Sequence, residues 1–357
     1  MKVQKFSLFE RAKRRRKLDG LQSLKERVLR KINVNTRLFL AEHMIANPKA
    51  TFAAVEINNT CNLHCGMCEI ERKRKLGLEK PRLVTVPFFK KIIDQLAELQ
   101  TEVSLNYGGE SFLHPQFKEL VTYAVGAKKR GLGKISWFDN ATLLSEDMSK
   151  FLVDLGGVDQ LTLSVDRLGK ANDLWRLGSN IEVIEHNIKD LIRIRGDKKK
   201  PFVLINKVDV DSKEDTLRFV KHWIDIADAV QVSTFRMPIW KIHEPEKYFA
   251  YPETVKARYC PFPFFFMGIL ADGRVSGCGC DASAQNLMGN ANEDSIKDIW
   301  ASDRYHIFRK NTLNHVVEAN SPCAICDCWM QRFKPLIEIG GGYEVLYGDT
   351  KVYRKVS

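Results

Sequence analysis

The chain has 357 residues, 44% of them hydrophobic and 28% charged, which fits a globular protein with a large core and excludes a disordered or collagen-like chain. No apolar run approaches the roughly 18 residues of a membrane helix, and the basic N-terminus lacks an apolar signal segment, so a cytoplasmic protein is expected. The net charge of +12 is concentrated at one end: residues 1–31 hold twelve Lys or Arg against Glu10, Asp19 and Glu26, leaving the rest with little charge for nucleic-acid binding.

Residues 1–50 read as a basic, helix-prone arm, with Leu21, Leu24, Val28 and Leu29 at helical spacing and Pro48 at its end. The Arg11–Lys17 run suits an anionic membrane surface, a nucleic acid or an acidic electron donor, and its simplest reading is a solvated helix. From residue 51 strands and helices alternate. Thr51–Asn58, Val103–Asn106, Lys134–Phe138, Gln160–Val165, Phe202–Val208 and Val230–Phe235 are apolar runs of strand character. Helical patterns lie between them at 87–99, 115–130, 146–155, 180–195 and 213–226. This alternation predicts an α/β fold, a partial or closed (β/α)6 TIM-like barrel of parallel strands over residues 51–240. Lys73-Arg74-Lys75 and Lys198-Lys199-Lys200 read as solvated loop charges.

A smaller second domain is expected over 241–335. Phe262–Ala271 and Arg274–Gly277 flank Asp272-Gly273, which predicts a β-hairpin closed by an Asp-Gly turn. An amphipathic helix is expected near Ser295–Asn311. Residues 336–357, with Gly340-Gly341-Gly342, read as a loop and short tail.

Nine cysteines in a reducing compartment point to metal binding or catalysis rather than disulfides. Cys61, Cys65 and Cys68 follow the first strand, and the other six lie between Cys260 and Cys328; the intervening 191 residues have none. Two separate cysteine sites are implied. Three closely spaced thiolates without a near fourth suit a [4Fe–4S] cluster with one iron open to a ligand. A zinc knuckle recruiting His64 is the alternative.

The spacing of Cys61, Cys65 and Cys68, with Met67 before the last cysteine, resembles the signature of the radical S-adenosylmethionine (radical SAM) superfamily. The resemblance spans roughly residues 51–330. It implies that the open iron chelates the methionine end of S-adenosylmethionine, whose cleavage yields a 5′-deoxyadenosyl radical that abstracts hydrogen from substrate. Met67 is counted with the cofactor-binding residues. Gly108-Gly109-Glu110 resembles the family's Gly-Gly-Glu motif, which contacts the methionine amino group. Asn140-Ala141-Thr142 departs from the usual Thr-Asn-Gly. Ser164-Val165-Asp166 resembles the family's Ser-x-Asp, and Ser164 with Arg176 is expected to hold the methionine carboxylate. Asn206 and Arg236 are expected at the ribose or adenine.

Cys260-Pro-Phe-Pro, the hairpin, Cys278-Gly-Cys280-Asp281, Gly289-Asn290, Ile299-Trp300 and Cys323-Ala-Ile-Cys326-Asp-Cys328-Trp329 together resemble the SPASM/twitch extension. The resemblance assigns Cys260, Cys278, Cys323 and Cys326 to an auxiliary [4Fe–4S] cluster, with structural zinc as the alternative. Cys280 and Cys328 remain as buried thiols, substitute ligands or hydrogen donors to a substrate radical. The functions implied are oxidation or epimerisation of a hydroxylated, sugar-like small molecule, or modification of a ribosomally made peptide. The short basic arm is unlike a leader-binding domain, which weighs against the peptide. A non-enzymatic electron carrier is the third reading, and Gly108–Glu110, Ser164 and Arg176 weigh against it. A flavodoxin- or ferredoxin-type electron donor is expected.

Overall fold

The computed structural model describes residues 50–234, 260, 262–314, 316–317, 321–326, 343–345 and 351–355. The basic arm, Arg236, Cys328 and the Gly340–Gly342 run lie outside these residues. Among the described residues, no helix is long and apolar enough to cross a membrane.

Six parallel strands form the centre: β1 (Phe52–Val55), β2 (Glu102–Ser104), β3 (Ile135–Asp139), β4 (Gln160–Ser164), β5 (Phe202–Asp209) and β6 (Ala229–Thr234). Each pairs with the next in register, from Phe52↔Glu102 to Asp209↔Thr234. Helices follow the strands: α1 (Glu69–Lys75) and α2 (Val86–Glu98), α3 (Phe117–Ala127), α4 (Glu146–Leu155), α5 (Lys170–Trp175), α6 (Ile181–Arg195) and α7 (Lys213–Ile224). The sheet curves without closing, with β1 and β6 far apart in its order, and forms a partial (β/α)6 barrel.

The five long helices start and stop where local chemistry directs. Thr85, Ser145, Asn180 and Ser212 each cap a first turn by accepting a backbone N–H, and Gly156 ends α4 at φ +70°. Along α2, Phe89, Ile92, Ile93 and Leu96 recur at the three-to-four-residue period and are fully buried. Each such side chain contributes roughly 1.5–3 kcal/mol of transfer free energy. Leu161, Leu163, Val203, Ile205, Val230 and Val232 meet these helices from the sheet.

The second half extends the same sheet. β7 (Phe266–Ile269) pairs parallel to β1, and β8 (Arg274–Ser276) and β9 (Leu287–Asn290) continue antiparallel. The hairpin loop is three residues, Ala271-Asp272-Gly273, rather than a two-residue Asp-Gly turn. Leu270 N–H donates to Arg274 O, and Gly273 takes φ +93°. The helix expected near 295–311 is two, α8 (Ile296–Ala301) and α9 (Asp303–Leu313). Ser302 ends the first in extended geometry and caps the second through Tyr305 N–H. Residues read as a tail supply β10 (Tyr343–Val345) and β11 (Lys351–Lys355), the latter antiparallel to β6.

A buried guanidinium orders the segment after Cys260. Arg309 donates to Pro263 O and Trp300 O and lies over the Trp300 and Tyr305 rings, at 4.3 and 4.7 Å.

Candidate cofactor site

The first cysteine loop runs from the end of β1 to α1, with Cys68 as the residue preceding the helix. Cys65 is buried, while Cys61, Cys68 and Met67 are half-buried. Leu63 N–H and the Asn140 amide both point at Cys61 Sγ, at 3.4 and 3.7 Å. Burial, opposed by Leu63 N–H and reinforced by Glu110, Cys65 and Cys68, pushes the Cys61 thiol up to about 11. Burial also raises Cys65, whose nearest opposing charge is Arg176. Such a pocket disfavours bare thiolates, and ligation to a metal cluster offsets that cost. Among the described residues the sulfurs are not drawn together into a preformed metal site, so what speaks for a cluster is the donor set, three thiols on one loop. His64 does not join them: its Nδ1 meets Glu71 at 2.8 Å and its side chain is 59% exposed.

The Gly-Gly-Glu segment reaches this loop for a reason the sequence does not state. A Cβ on Gly109, at φ +74°, would lie 2.5–2.6 Å from the backbone of Asn58, Asn59 and Thr60. One on Gly108 would lie 3.0 Å from Ile70 Cγ1. The glycines bring the β2 loop against the protein's own chain leading into Cys61. Glu110 N–H donates to Thr60 O, and the Asn58 amide donates to Glu110 O.

The Glu110 carboxyl is buried and accepts Phe112 and Asn140 N–H. It faces Asp139, also buried, whose other hydrogen bond comes from Ala141 N–H. Burial first, then the opposing Asp139, raises the Glu110 pKa well above the ordinary range; burial likewise raises Asp139. Burial and mutual repulsion favour the protonated form of this pair, and Asn140, whose N–H reaches Glu110 and whose amide reaches Cys61 Sγ, links it to the first thiol. Ala141, at φ +60°, is strained but held by Asp139 and by Asn187. Because folding raises both pKa values, the folded state keeps a proton that the unfolded chain releases near the usual carboxylate range. Stability from the pair is complete below about pH 4 and falls as pH rises through the raised values. Asp139→Asn supplies a permanent donor to Glu110. We expect the variant to lose less unfolding free energy than the wild type between about pH 5 and pH 8, by roughly 1 kcal/mol, in anaerobic urea titrations. Parallel curves for the two proteins would show that the carboxyls do not share a proton.

Ser164 ends β4 and pairs in register with Asn206. The Gln231 amide and Ser233 hydroxyl both donate to Asn206 Oδ1, at 3.0 and 2.7 Å. Arg176 is paired within the protein. Its Nε lies 2.8 Å from Asp166 Oδ2, and both residues are buried. Asp166 in turn accepts Val208 N–H, so it fixes Arg176 beside Cys65. Thus the structure groups Arg176 and Asp166 with the cysteines, and Ser164 and Asn206 with the strand ends.

The second cysteine group forms around the loop after β8. Cys260 and Cys278 are buried, and Cys280, Cys323 and Cys326 are half-buried. A hydrogen bond from Cys280 opposes, and burial with the charges of Cys260 and Cys326 outweighs it, pushing the Cys278 thiol up to about 12. Asn286 donates its amide to Cys323 Sγ at 3.5 Å. Asp281, fully buried, shapes the loop by accepting Gln285 and Asn286 N–H. Here too the described sulfurs form no preformed metal site, and it is the thiol donors that a cluster would take. Cys280 stands against Cys278 within the loop, its N–H on Cys278 Sγ at 3.3 Å.

Lys73 corrects the reading of its run as loop charge. It lies on α1, 1% exposed, and donates to Glu69 and to Ser283 Oγ. Arg74 on the same helix pairs with Glu71. Neither Lys73 nor Asp139, Asn286 or Tyr107 was singled out by sequence reasoning. Only Tyr107, immediately before Gly108, carried a positional signal.

Residues 55–220 match the model of the Radical SAM superfamily, and residues 260–329 match that of the SPASM iron–sulfur cluster-binding domain. The chain carries a radical SAM domain followed by a SPASM domain. Its two cysteine groups fall one in each matched region, and the family's cofactors are S-adenosylmethionine and [4Fe–4S] clusters, the SPASM domain binding the additional one. The enzyme is similar to a tungsten-containing aldehyde ferredoxin oxidoreductase cofactor-modifying protein of Pyrococcus furiosus, at 26% identity over 76% of this chain and 87% of the relative. It is also similar to the GTP 3′,8-cyclase of Synechococcus elongatus, at 25% identity over 52% of this chain and 55% of that protein. Its fold resembles that of Streptococcus suis SuiB bound to S-adenosylmethionine, with TM-score 0.58, 17% identity, and coverage of 90% of this chain and 82% of that one.

Proposed function

We propose that this enzyme abstracts hydrogen from a hydroxylated, sugar-like small molecule and completes its oxidation or epimerisation. Cys61, Cys65 and Cys68 hold the first cluster in this reading, and Cys260, Cys278, Cys323 and Cys326 the auxiliary one. Bound S-adenosylmethionine with the first cluster supplies a hydrogen-abstracting radical, and the auxiliary cluster supplies an electron acceptor.

The observation that carries the reading is the character of the sheet face turned away from the helices. Beside the apolar Phe138, Phe202 and Leu204, this face presents Ser104, Ser136, Thr162, Ser164, Asn206, Gln231 and Ser233, which alternate with the core residues across β2 to β6. The polar side chains are hydroxyls and amides, suited to donating to and accepting from the hydroxyls of a neutral substrate. Ser136, Ser164, Gln231 and Ser233 are half-buried, so the face retains access. Gly108 and Gly109 set the cysteine loop, Arg176 carries positive charge beside Cys65 for a carboxylate, and Asn206 stands at the strand ends for a ribose. The Pyrococcus furiosus relative is named for modifying a cofactor, which supports a small molecule over a peptide.

The test is 5′-deoxyadenosine formation by the anaerobically reconstituted enzyme with a reductant. Polyols and aminocyclitols deuterated at each carbinol carbon are expected to pass deuterium into 5′-deoxyadenosine from one position. Formation with peptides alone would overturn the proposal in favour of peptide modification.

A further inference from the structure

Tyr107 joins the two cofactor regions. It precedes Gly108 in the loop that packs on the Cys61 segment, yet its side chain crosses β7 into the auxiliary loop. Its hydroxyl donates to Cys278 O and lies among Ser276, Asp281 and Cys280. The ring stacks at a tilt on Phe266, with centroids 5.8 Å apart. Gly268 makes the crossing possible: a Cβ there would stand 2.4 Å from Tyr107 Cε1 and 2.8 Å from its hydroxyl oxygen. Ser276 Oγ accepts Cys278 N–H and donates to Asp281 Oδ2, so the phenol enters a network already holding the cysteine.

We propose that Tyr107 is a positioning residue that ties the geometry of the Cys278 ligand to the S-adenosylmethionine-binding loop, making the auxiliary cluster respond to occupancy of that pocket. The inference rests on Cys278 being an auxiliary-cluster ligand. The tie runs through a short path: Gly108 and Gly109 are fixed against the chain entering Cys61, and the adjacent Tyr107 is fixed on Cys278 O. A donor at the ligand's carbonyl draws electron density from the Cys278 segment. It also holds the Cys280 N–H on Cys278 Sγ, and donors of this kind stabilise the more negative, reduced cluster. A displacement of the Gly108 loop on binding S-adenosylmethionine would reach the auxiliary cluster through this one side chain.

The experiment compares wild type, Tyr107→Phe and Gly268→Ala as reconstituted full-length protein. Iron is counted, and the auxiliary cluster's midpoint potential is followed by EPR-monitored titration with and without S-adenosylmethionine. Wild type is expected to show a potential that shifts when S-adenosylmethionine is added. Tyr107→Phe keeps its iron, titrates at a more negative potential and loses the shift; Gly268→Ala, which displaces the ring, does the same. A Tyr107→Phe protein with the wild-type potential and the wild-type response overturns the inference. Wild type holding only about four irons overturns the auxiliary-cluster assignment itself.

Discussion

Replacing Cys61, Cys65 and Cys68 together by alanine is expected to lower iron from about eight to about four per chain and to abolish reductive cleavage of S-adenosylmethionine. The two thiol groups stand on different supports, so losing one leaves the other. The first is held by the Cys61–Cys68 loop, by Asn140 from β3 and by Arg176 after α5. The second is held by Asp281, Asn286 and Tyr107 around the loop after β8. The alanines remove the Leu63 N–H and Asn140 amide contacts to Cys61 Sγ but no backbone–backbone hydrogen bond, and the Cys68 N–H to Cys65 O turn needs no sulfur. The remaining cluster should keep its EPR signal on reduction. Complete loss of iron in the variant would show that the two sites assemble as one; about four irons in both proteins would remove the first site.

Gly109→Ala is expected to be almost as damaging, although it touches no ligand. The left-handed backbone alone disfavours alanine by roughly 1–2 kcal/mol. The larger cost is collision, because the new methyl group meets the carbonyls of Asn58 and Thr60, which belong to backbone and cannot turn aside. Relief requires the β2 loop to retreat from the Cys61 segment. That breaks the Glu110 N–H bond to Thr60 O at 2.7 Å and withdraws Glu110 from Asn140. Affinity for S-adenosylmethionine, by anaerobic equilibrium dialysis, should fall at least tenfold, with iron in the first site reduced. Gly126→Ala is the control, since a Cβ there meets nothing within 4 Å. A Gly109→Ala protein that binds S-adenosylmethionine like wild type would mean the loop has room that the backbone distances deny.

Much of the fold was legible because periodicity reports burial. The five long helices and six parallel strands fall within a few residues of their expected positions, as runs such as Leu161–Leu163 and Phe89–Leu96 alternate or recur at the period of the element they build. What escaped depends on tertiary pairing. The helix α1 has seven residues, mostly charged, and forms because it follows the cysteine loop and buries Ile70 and Lys73. Ser302 split one amphipathic pattern into two helices, a break that a capping serine signals only once the backbone turns. The terminal strands β10 and β11 are polar and become strands by pairing at the β6 edge.

The site was legible where chemistry is concentrated in one residue type and obscure where it is relational. Cysteine spacing announced both thiol groups. Arg176 was singled out for a ligand carboxylate, but its ion pair with Asp166 was not foreseen; a buried guanidinium without a carboxylate is costly, and Asp166 supplies one. Lys73 looked like surface charge since its sequence neighbours are basic; only the distant Ser283 and the adjacent turn's Glu69 make burial tolerable. The motif did not reveal that Gly109 also lets the β2 loop press on the chain leading into Cys61.

The pairing of β7 alongside β1 decides how this protein can be divided. Glu56 N–H bonds Ile269 O and Phe52 N–H bonds Phe265 O, so the auxiliary half covers a strand that would otherwise be a margin of the barrel. Cutting the chain after residue 240 would bare the apolar strand Phe52–Val55 along its length, with unpaired amides and carbonyls open to any neighbouring copy. The barrel is therefore not a module to which an accessory was appended. Excision would leave a bare strand edge as a seed of self-association, because the two halves share the hydrogen bonds of one sheet.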